Sequence, residues 1–198
     1  MANIKIYGSH MSRASRVTWC ARELGVPFDF VDVPWEDQKK PDFLAVNPCG
    51  KFPGFADGDL KLFESLAINL YLAKKYGTGK LYPANIEDEG RTFQWTLWAA
   101  TEVEPNAFPS LLVALGYSKD VDGAAAAAEK LKPVLKVADD HLKNREWLVG
   151  NAFSVADLNA STVVGMTKYG KIDISYAPNV VAWFGRCMAR PAAHPPKP

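Results

Sequence analysis

The chain has 198 residues, with 23 Lys and Arg against 22 Asp and Glu, a formal net charge of +1 and a hydrophobic fraction of 48%. This length suits one large domain or two small ones, and the composition is that of a globular protein, which excludes wholesale disorder. Because the charges balance, we expect no nucleic-acid partner and no adsorption to a membrane surface.

Three cysteines, Cys20, Cys49 and Cys187, are widely spaced and form no CxxC pair. This usage favours a reducing compartment over a disulfide framework. The first residues lack the long apolar core of a signal peptide, and no run of about 18 apolar residues occurs. We therefore expect a cytoplasmic protein without a membrane span.

The first 77 residues alternate between strand-like and helix-like patterns. Strands are predicted over 3–7, 28–33, 54–56 and 60–63, and helices over 12–24, 41–46 and 65–76. Asp57-Gly58 between the last two strands is a strong hairpin signal, and Gly25 and Gly77 are typical of helix ends. This order predicts an α/β domain over 1–77 in which the first two strands are parallel.

The pattern changes near residue 80. Residues 78–87 are typical of a linker, and the domain predicted over 88–198 is entirely helical. Its helices are predicted over 88–115, 124–141, from Ser154 onward and over 179–189, followed by a proline-rich tail over 191–198 without a packing signal. Pro105 and Pro109 should kink the first of these helices.

Two groups of residues are predicted to have no catalytic or metal-binding role. His10, His141 and His194 share no metal-ligand spacing with one another or with the cysteines, so no metal is predicted. Ser154 and Asp157 have the spacing of a helix capping box, which favours a structural role over a catalytic pair.

The most informative stretch begins at residues 47–53, Asn-Pro-Cys-Gly-Lys-Phe-Pro. Pro53 opens a strand, where its missing N–H must lie at a sheet edge or face a ligand. A cis Phe52-Pro53 bond would turn the backbone of Phe52 outward to pair with an extended peptide. The residues alone leave the isomer open.

Glu64 and Ser65 follow where a strand leads into a helix. Free N–H groups, the helix dipole and the Ser65 hydroxyl together favour a bound carboxylate, and Glu64 could hold an ammonium group. Such a pair suits an amino-acid head group. In the alternative, Ser65 only caps its own helix and Glu64 is a solvated acid, and the two residues by themselves favour this alternative.

Ser12 lies at the start of the first predicted helix. A hydroxyl there could donate a hydrogen bond to a thiolate and lower the pKa of that thiol. Ser12 as an N-cap is the alternative interpretation. Ser9 and Ser15 compete for both roles, and Tyr7 is another possible hydroxyl donor.

Taken together, residues 47–53, Asp57-Gly58 and Glu64-Ser65 resemble the glutathione-site signature of the glutathione S-transferase family. Residues 148–158 are similar to the family's structural capping motif, and residues 189–192 resemble the end of its last main helix. The resemblance covers almost the whole chain. It implies an α/β, thioredoxin-like N-terminal domain, an all-helical C-terminal domain and a homodimer.

The resemblance also implies a site. Pro53 would be cis, the Phe52 backbone would pair with the cysteinyl part of glutathione, and Glu64 and Ser65 would hold the γ-glutamyl group. Lys51, with Lys39 or Lys40, would face the glycine carboxylate, which agrees with the negative charge of glutathione. Plain solvated surface charges are the alternative for Lys39 and Lys40.

Ser12 is the expected activating residue, with Tyr7 and Ser15 as alternatives. No cysteine occupies that place, which argues against the family members that carry out thiol–disulfide chemistry. Trp98 and Phe108 are candidates for the electrophile site. Aromatic residues at helical spacing are more often core, so at least one of Trp95, Trp98 and Phe108 should be buried.

The function implied is a glutathione transferase that conjugates the glutathione thiolate to small, largely apolar electrophiles, as in detoxification. Glutathione would be the co-substrate. The alternatives are a non-catalytic binding or assembly module with the same fold, and a glutathione-dependent isomerase or peroxidase.

Overall fold

The computed structural model describes residues 3–194, which divide into two units. The first comprises the described residues up to Tyr82 together with those from Pro191 onward, and the second is Pro83–Arg190. In the described part of the chain, no helix is long and apolar enough to cross a membrane.

A four-stranded sheet forms the centre of the first unit. Its strands are β1 (Ile4–Gly8), β2 (Asp29–Asp32), β3 (Gly54–Asp57) and β4 (Leu60–Phe63), in the order β2-β1-β3-β4. β1 and β2 are parallel as predicted, while β3 runs antiparallel to β1 and to β4. The predicted hairpin is confirmed, with Asp57 paired to Leu60 and Gly58 at a φ of +60°.

Three helices complete this unit: α1 (Ala14–Leu24), α2 (Pro41–Leu44) and α3 (Ser65–Gly77). α1 ends at Gly25, which has a φ of +64°, so the predicted glycine stop is confirmed. A Cβ added to Gly77 would lie 2.5 Å from Leu24 Cδ2, so glycine permits a close approach of the ends of α1 and α3. The fully buried side chains here include Ile4, Ile6, Val17, Phe55, Ile68 and Leu72.

A 3-10 turn over Trp35–Lys39 precedes α2 and was not among the predicted elements. Its sequence is polar apart from the tryptophan, so it has no apolar periodicity that would mark a helix.

The second unit is helical, as predicted. Its helices are α4 (Ile86–Trp98), α5 (Glu104–Ala114), α6 (Val121–Leu142), α7 (Val155–Tyr169) and α8 (Pro178–Met188). α7 is buried along most of its length, and α5 and α6 pack against each other.

The prediction of one continuous helix over 88–115, with kinks at Pro105 and Pro109, is wrong in one respect. A π-helical segment, Ala99–Val103, separates α4 from α5. Pro105 follows this segment and has no N–H to donate to the carbonyl of Thr101, so the regular hydrogen-bond ladder cannot continue through it. Pro109 lies inside α5.

The capping box is confirmed. The Ser154 N–H and Oγ both donate to Asp157 Oδ2, at 3.0 and 2.9 Å, and Asp157 Oδ1 also accepts from the Leu148 N–H and from Trp183 Nε1. Because all these contacts are buried, Ser154 and Asp157 are structural residues, not a catalytic pair.

The chain deviates from the predicted boundaries at both ends of the helical region. Leu81 and Tyr82, predicted as linker, are buried and belong to the first unit, and α4 begins at Ile86. Pro191–Ala193 forms a short 3-10 turn of the first unit, where Arg22 Nε donates to the Ala192 carbonyl at 2.8 Å. The start of the predicted tail therefore does pack, and residues 195–198 lie outside the described part.

Candidate functional site

The loop over residues 47–53 is held by the side chain of Asn47, which is 2% exposed. Its Nδ2 donates to the carbonyls of Lys51 (2.5 Å) and Pro53 (3.1 Å), and its Oδ1 accepts from the Cys49 N–H at 2.9 Å. Sequence reasoning placed Asn47 in the motif but gave it no role. The structure identifies it as the residue that shapes the loop.

The Phe52-Pro53 peptide bond is cis, as the resemblance implied. The Phe52 ring is buried and packs edge-on against Phe43 and Trp35, with ring centroids 5.3 and 5.1 Å apart. Within residues 3–194, neither the N–H nor the C=O of Phe52 has a hydrogen-bond partner. Since buried backbone groups are normally paired, this residue is ready to pair with an extended peptide.

Trp35 was missed by the sequence analysis. It is 57% exposed although it packs on Phe52, so it offers an apolar surface beside the unpaired backbone. A lone tryptophan followed by the polar residues 36–40 was the available signal.

Ser12 also lies beside Phe52. A Cβ added to Gly8 would be 3.2 Å from Ser12 Oγ and 3.5 Å from Phe52 Cβ, so both residues flank Gly8. Ser12 Oγ donates to the Ser9 carbonyl at 2.6 Å and accepts from the Ala14 N–H at 3.1 Å. Ser12 therefore satisfies an N–H at the start of α1 and also lies close to Phe52.

The alternative hydroxyls are placed differently. Ser15 is exposed, and its Oγ donates to the Ser12 carbonyl at 2.9 Å. Tyr7 is half-buried, and a Cβ added to Gly54 would lie 3.5 Å from Tyr7 Cβ. Of these hydroxyl residues, Ser12 is the one that flanks Gly8 together with Phe52.

Glu64 and Ser65 stand at the start of α3. Glu64 is the N-cap residue with a φ of +69°, a backbone conformation that costs a non-glycine residue about 1–3 kcal/mol and is found chiefly at functional sites. Ser65 is the first helical residue and is 3% exposed, and α3 has no side-chain cap. The alternative that Ser65 merely caps its helix is therefore wrong.

The Ser65 hydroxyl instead contacts Arg16, which sequence reasoning missed. Arg16 Nη1 lies 3.4 Å from Ser65 Oγ, and Arg16 is 5% exposed in α1. The signal was present, since Arg16 falls on the same helix face as Cys20, four residues later, and that face is apolar. Arginine is almost never fully buried without partners.

The lysines are distinguished by their contacts. Lys39 Nζ donates to the Cys49 carbonyl at 3.0 Å and so lies over the loop, whereas Lys40 forms an ion pair with Asp37 at 2.6 Å. Lys51 is exposed within the loop itself. Lys39 and Lys51 therefore place positive charge at the loop over residues 47–53.

The aromatic candidates of the second unit lie on either side of the π-helical segment. Trp95 is 4% exposed, which confirms that at least one of the three aromatics is core. Trp98 is half-buried and packs edge-on against Trp95 at 5.2 Å, and Phe108 is half-buried in α5. A role for Trp98 and Phe108 in an electrophile site stays a prediction.

No group of three His, Cys, Asp or Glu side chains suited to a metal ion occurs among residues 3–194.

Comparison with known proteins assigns both units. The family model described as the glutathione S-transferase N-terminal domain matches residues 2–74, and that of the C-terminal domain matches residues 103–191. Glutathione S-transferase 3 from Zea mays is 36% identical over 205 residues, covering 97% of this chain and 92% of its own.

Solved structures of glutathione transferases also match almost the whole chain. The crystal structure of glutathione transferase F7 from Populus trichocarpa has a TM-score of 0.84 and 32% identity, covering 96% of this chain and 95% of that one. The theta class glutathione S-transferase from Xanthomonas axonopodis pv. citri, solved with glutathione bound, has a TM-score of 0.85 and 28% identity and covers 98% of this chain and 96% of that one. The chain belongs to the glutathione S-transferase family.

Proposed function

We propose that this protein is a glutathione transferase, which binds glutathione in its first unit and transfers the glutathione sulfur to a small, largely apolar electrophile. The thiol loses its proton to solvent water, and the thiolate attacks an electrophilic carbon to form a C–S bond. The leaving group departs with its electron pair or, in an addition, the acceptor takes up a proton.

The observation that carries the proposal is the unpaired backbone of Phe52 beside Ser12. An N–H and a C=O on one residue can accept the main chain of an extended tripeptide as a neighbouring strand would. Phe52, which follows Lys51 and precedes the cis Pro53, would pair with the cysteinyl residue of glutathione. The cysteinyl sulfur would then lie close to Ser12.

Ser12 would donate its hydroxyl hydrogen to the thiolate. That hydrogen is bonded to the Ser9 carbonyl, so the hydroxyl must rotate towards the sulfur when glutathione binds. A charged acceptor forms a stronger hydrogen bond than a neutral carbonyl, which favours the rotation. Lowering the thiol pKa by one unit requires about 1.4 kcal/mol, within the range of one such bond.

The two ends of glutathione carry its remaining charges. Ser65 and the first N–H groups of α3 would hold the γ-glutamyl carboxylate, and Glu64 its ammonium group. Lys39 and Lys51 would face the glycine carboxylate. Because the chain is near neutral, this attraction is local to the loop.

The proposal includes a homodimer in the cytoplasm. Leu60 and Phe63 on the edge strand β4 are each 40% exposed, and Phe93 and Leu97 on α4 are 43% and 61% exposed, which suits surfaces that are covered on association. Three cysteines without a disulfide agree with a reducing compartment. Light scattering that shows a monomer would contradict the dimer.

A binding titration with glutathione, followed by conjugation to 1-chloro-2,4-dinitrobenzene, tests the function. We expect saturable binding and conjugation above the uncatalysed rate. Binding without conjugation would instead support the non-catalytic module. Reduction of a peroxide or isomerisation without conjugation would support the remaining alternatives, which no observation favours at present.

A further inference from the structure

Arg16 and Ser65 form a buried pair across two helices. Arg16 lies on α1 and Ser65 begins α3, 49 residues later, and the two side chains meet with Nη1 3.4 Å from Oγ. Both residues are at least nine-tenths buried, at 5% and 3% exposure. The pair therefore sits behind the N-terminus of α3, away from bulk water.

The direction of this hydrogen bond is dictated by chemistry. A guanidinium group has only donors, so Ser65 Oγ must accept from Arg16. Within residues 3–194 the hydroxyl has no other hydrogen-bond partner, which leaves its hydrogen undonated. A buried hydroxyl hydrogen without an acceptor is costly, so the site favours a ligand that supplies one.

We infer that Arg16 is a positioning residue for the γ-glutamyl carboxylate, acting through Ser65; this inference rests on the proposed function. Because Arg16 donates to the Ser65 oxygen, the hydroxyl hydrogen of Ser65 remains available for donation to an anion. The specificity of the site for a carboxylate at this end of the ligand therefore depends on a residue that does not touch the ligand.

The test compares two ligands by isothermal titration calorimetry. One is glutathione, and the other is 4-aminobutyryl-cysteinylglycine, which is glutathione without the α-carboxylate of its γ-glutamyl residue. We expect Arg16→Gln to weaken glutathione binding about tenfold and to leave the affinity for the analogue unchanged. Arg16→Lys keeps the positive charge and a donor group, so it should weaken glutathione binding less than Arg16→Gln does.

Two further variants complete the design. In a Ser65→Ala background, Arg16→Gln should have little additional effect, because the contact it acts through is gone. Arg22→Gln removes a guanidinium hydrogen bond from the other end of the same helix and should bind glutathione as the wild type does.

The possible outcomes distinguish a failure of the positioning role of Arg16 from a failure of the proposed function. If Arg16→Gln or Arg16→Lys, folded by circular dichroism, weakens both ligands equally, or if the effects of Arg16 and Ser65 are additive, the positioning role is wrong. If the Gln variant does not fold, the Lys variant alone decides by the same comparison. A wild-type protein that binds neither ligand would contradict the proposed function itself.

Discussion

Lys75 Nζ on α3 donates to Asp57 Oδ2 at the end of β3, with a separation of 2.6 Å. The hydroxyls of Tyr71 and Tyr76 donate to the same oxygen, at 2.9 and 2.8 Å. The carboxylate thereby ties the β-hairpin to α3. Burial alone would raise the pKa of Asp57, but the three hydrogen bonds and the Lys75 charge together lower it.

Replacing this carboxylate should therefore destabilise the protein. We expect Asp57→Asn to lower the free energy of unfolding by about 2 kcal/mol at neutral pH, measured by urea denaturation. Because the folded-state pKa of Asp57 is depressed, its contribution is present above the ordinary aspartate pKa and is lost as the pH falls below about 4. The difference between wild type and variant should shrink over that range.

Asp59→Asn is the matched control, since Asp59 is exposed in the same hairpin. It should change the unfolding free energy by less than about 0.5 kcal/mol. Equal destabilisation by the two variants would contradict the role assigned to Asp57.

Glu64 should show a conflict between stability and binding. Because its φ is +69°, Glu64→Gly relieves backbone strain, and we expect it to be more stable in urea than Glu64→Gln by up to about 1 kcal/mol. Both variants lack the carboxylate and should bind glutathione more weakly than the wild type. A glycine variant less stable than the glutamine variant would show that Glu64 carries no such strain.

The Asp157 network should be sensitive to substitution, because its hydrogen bonds are buried in the second unit. Asp157→Asn replaces an acceptor oxygen with a donor among four buried donors, so we expect a loss of about 3 kcal/mol in unfolding free energy. Asp122, an exposed acid in the first turn of α6, provides the control as Asp122→Asn. A loss no greater than that of the control would contradict the structural role.

The cysteines should differ in reactivity. Burial raises the pKa of the Cys20 and Cys187 thiols, whereas Cys49 is exposed. In the native protein, a disulfide reagent such as Ellman's should label at most one thiol, and Cys49→Ser should abolish that labelling. All three should react in denaturant. Native labelling that persists in Cys49→Ser would show that a buried thiol is accessible.

Much of the first unit could be predicted because its signals are local. The alternation around Ile4 and Ile6 and the Asp57-Gly58 turn each lie within a few residues, and the structure confirms the strand and the hairpin they predict. The π-helical segment before Pro105 was missed, because a proline indicates a disruption but not how the preceding turn adapts.

Part of the candidate site could not be predicted, because it depends on contacts between distant residues. Arg16 meets Ser65 across 49 residues, and Trp35 reaches Phe52 only when the 3-10 turn forms. By contrast, Phe52, Pro53 and Ser65 lie within one short stretch, residues 47–65, whose signature could be recognised. Their roles in glutathione binding, with those of Ser12, Lys39, Lys51 and Glu64, remain predictions.

The central claim is that Ser12 stabilises the glutathione thiolate. The most direct measurement is the thiol pKa of enzyme-bound glutathione, from the pH dependence of ultraviolet thiolate absorbance, in the wild type, Ser12→Ala and the neighbouring control Ser15→Ala. We predict a pKa lowered in the wild type and in Ser15→Ala, and returned towards that of free glutathione in Ser12→Ala, with glutathione affinity nearly unchanged. A lowered pKa that persists in Ser12→Ala would contradict the claim.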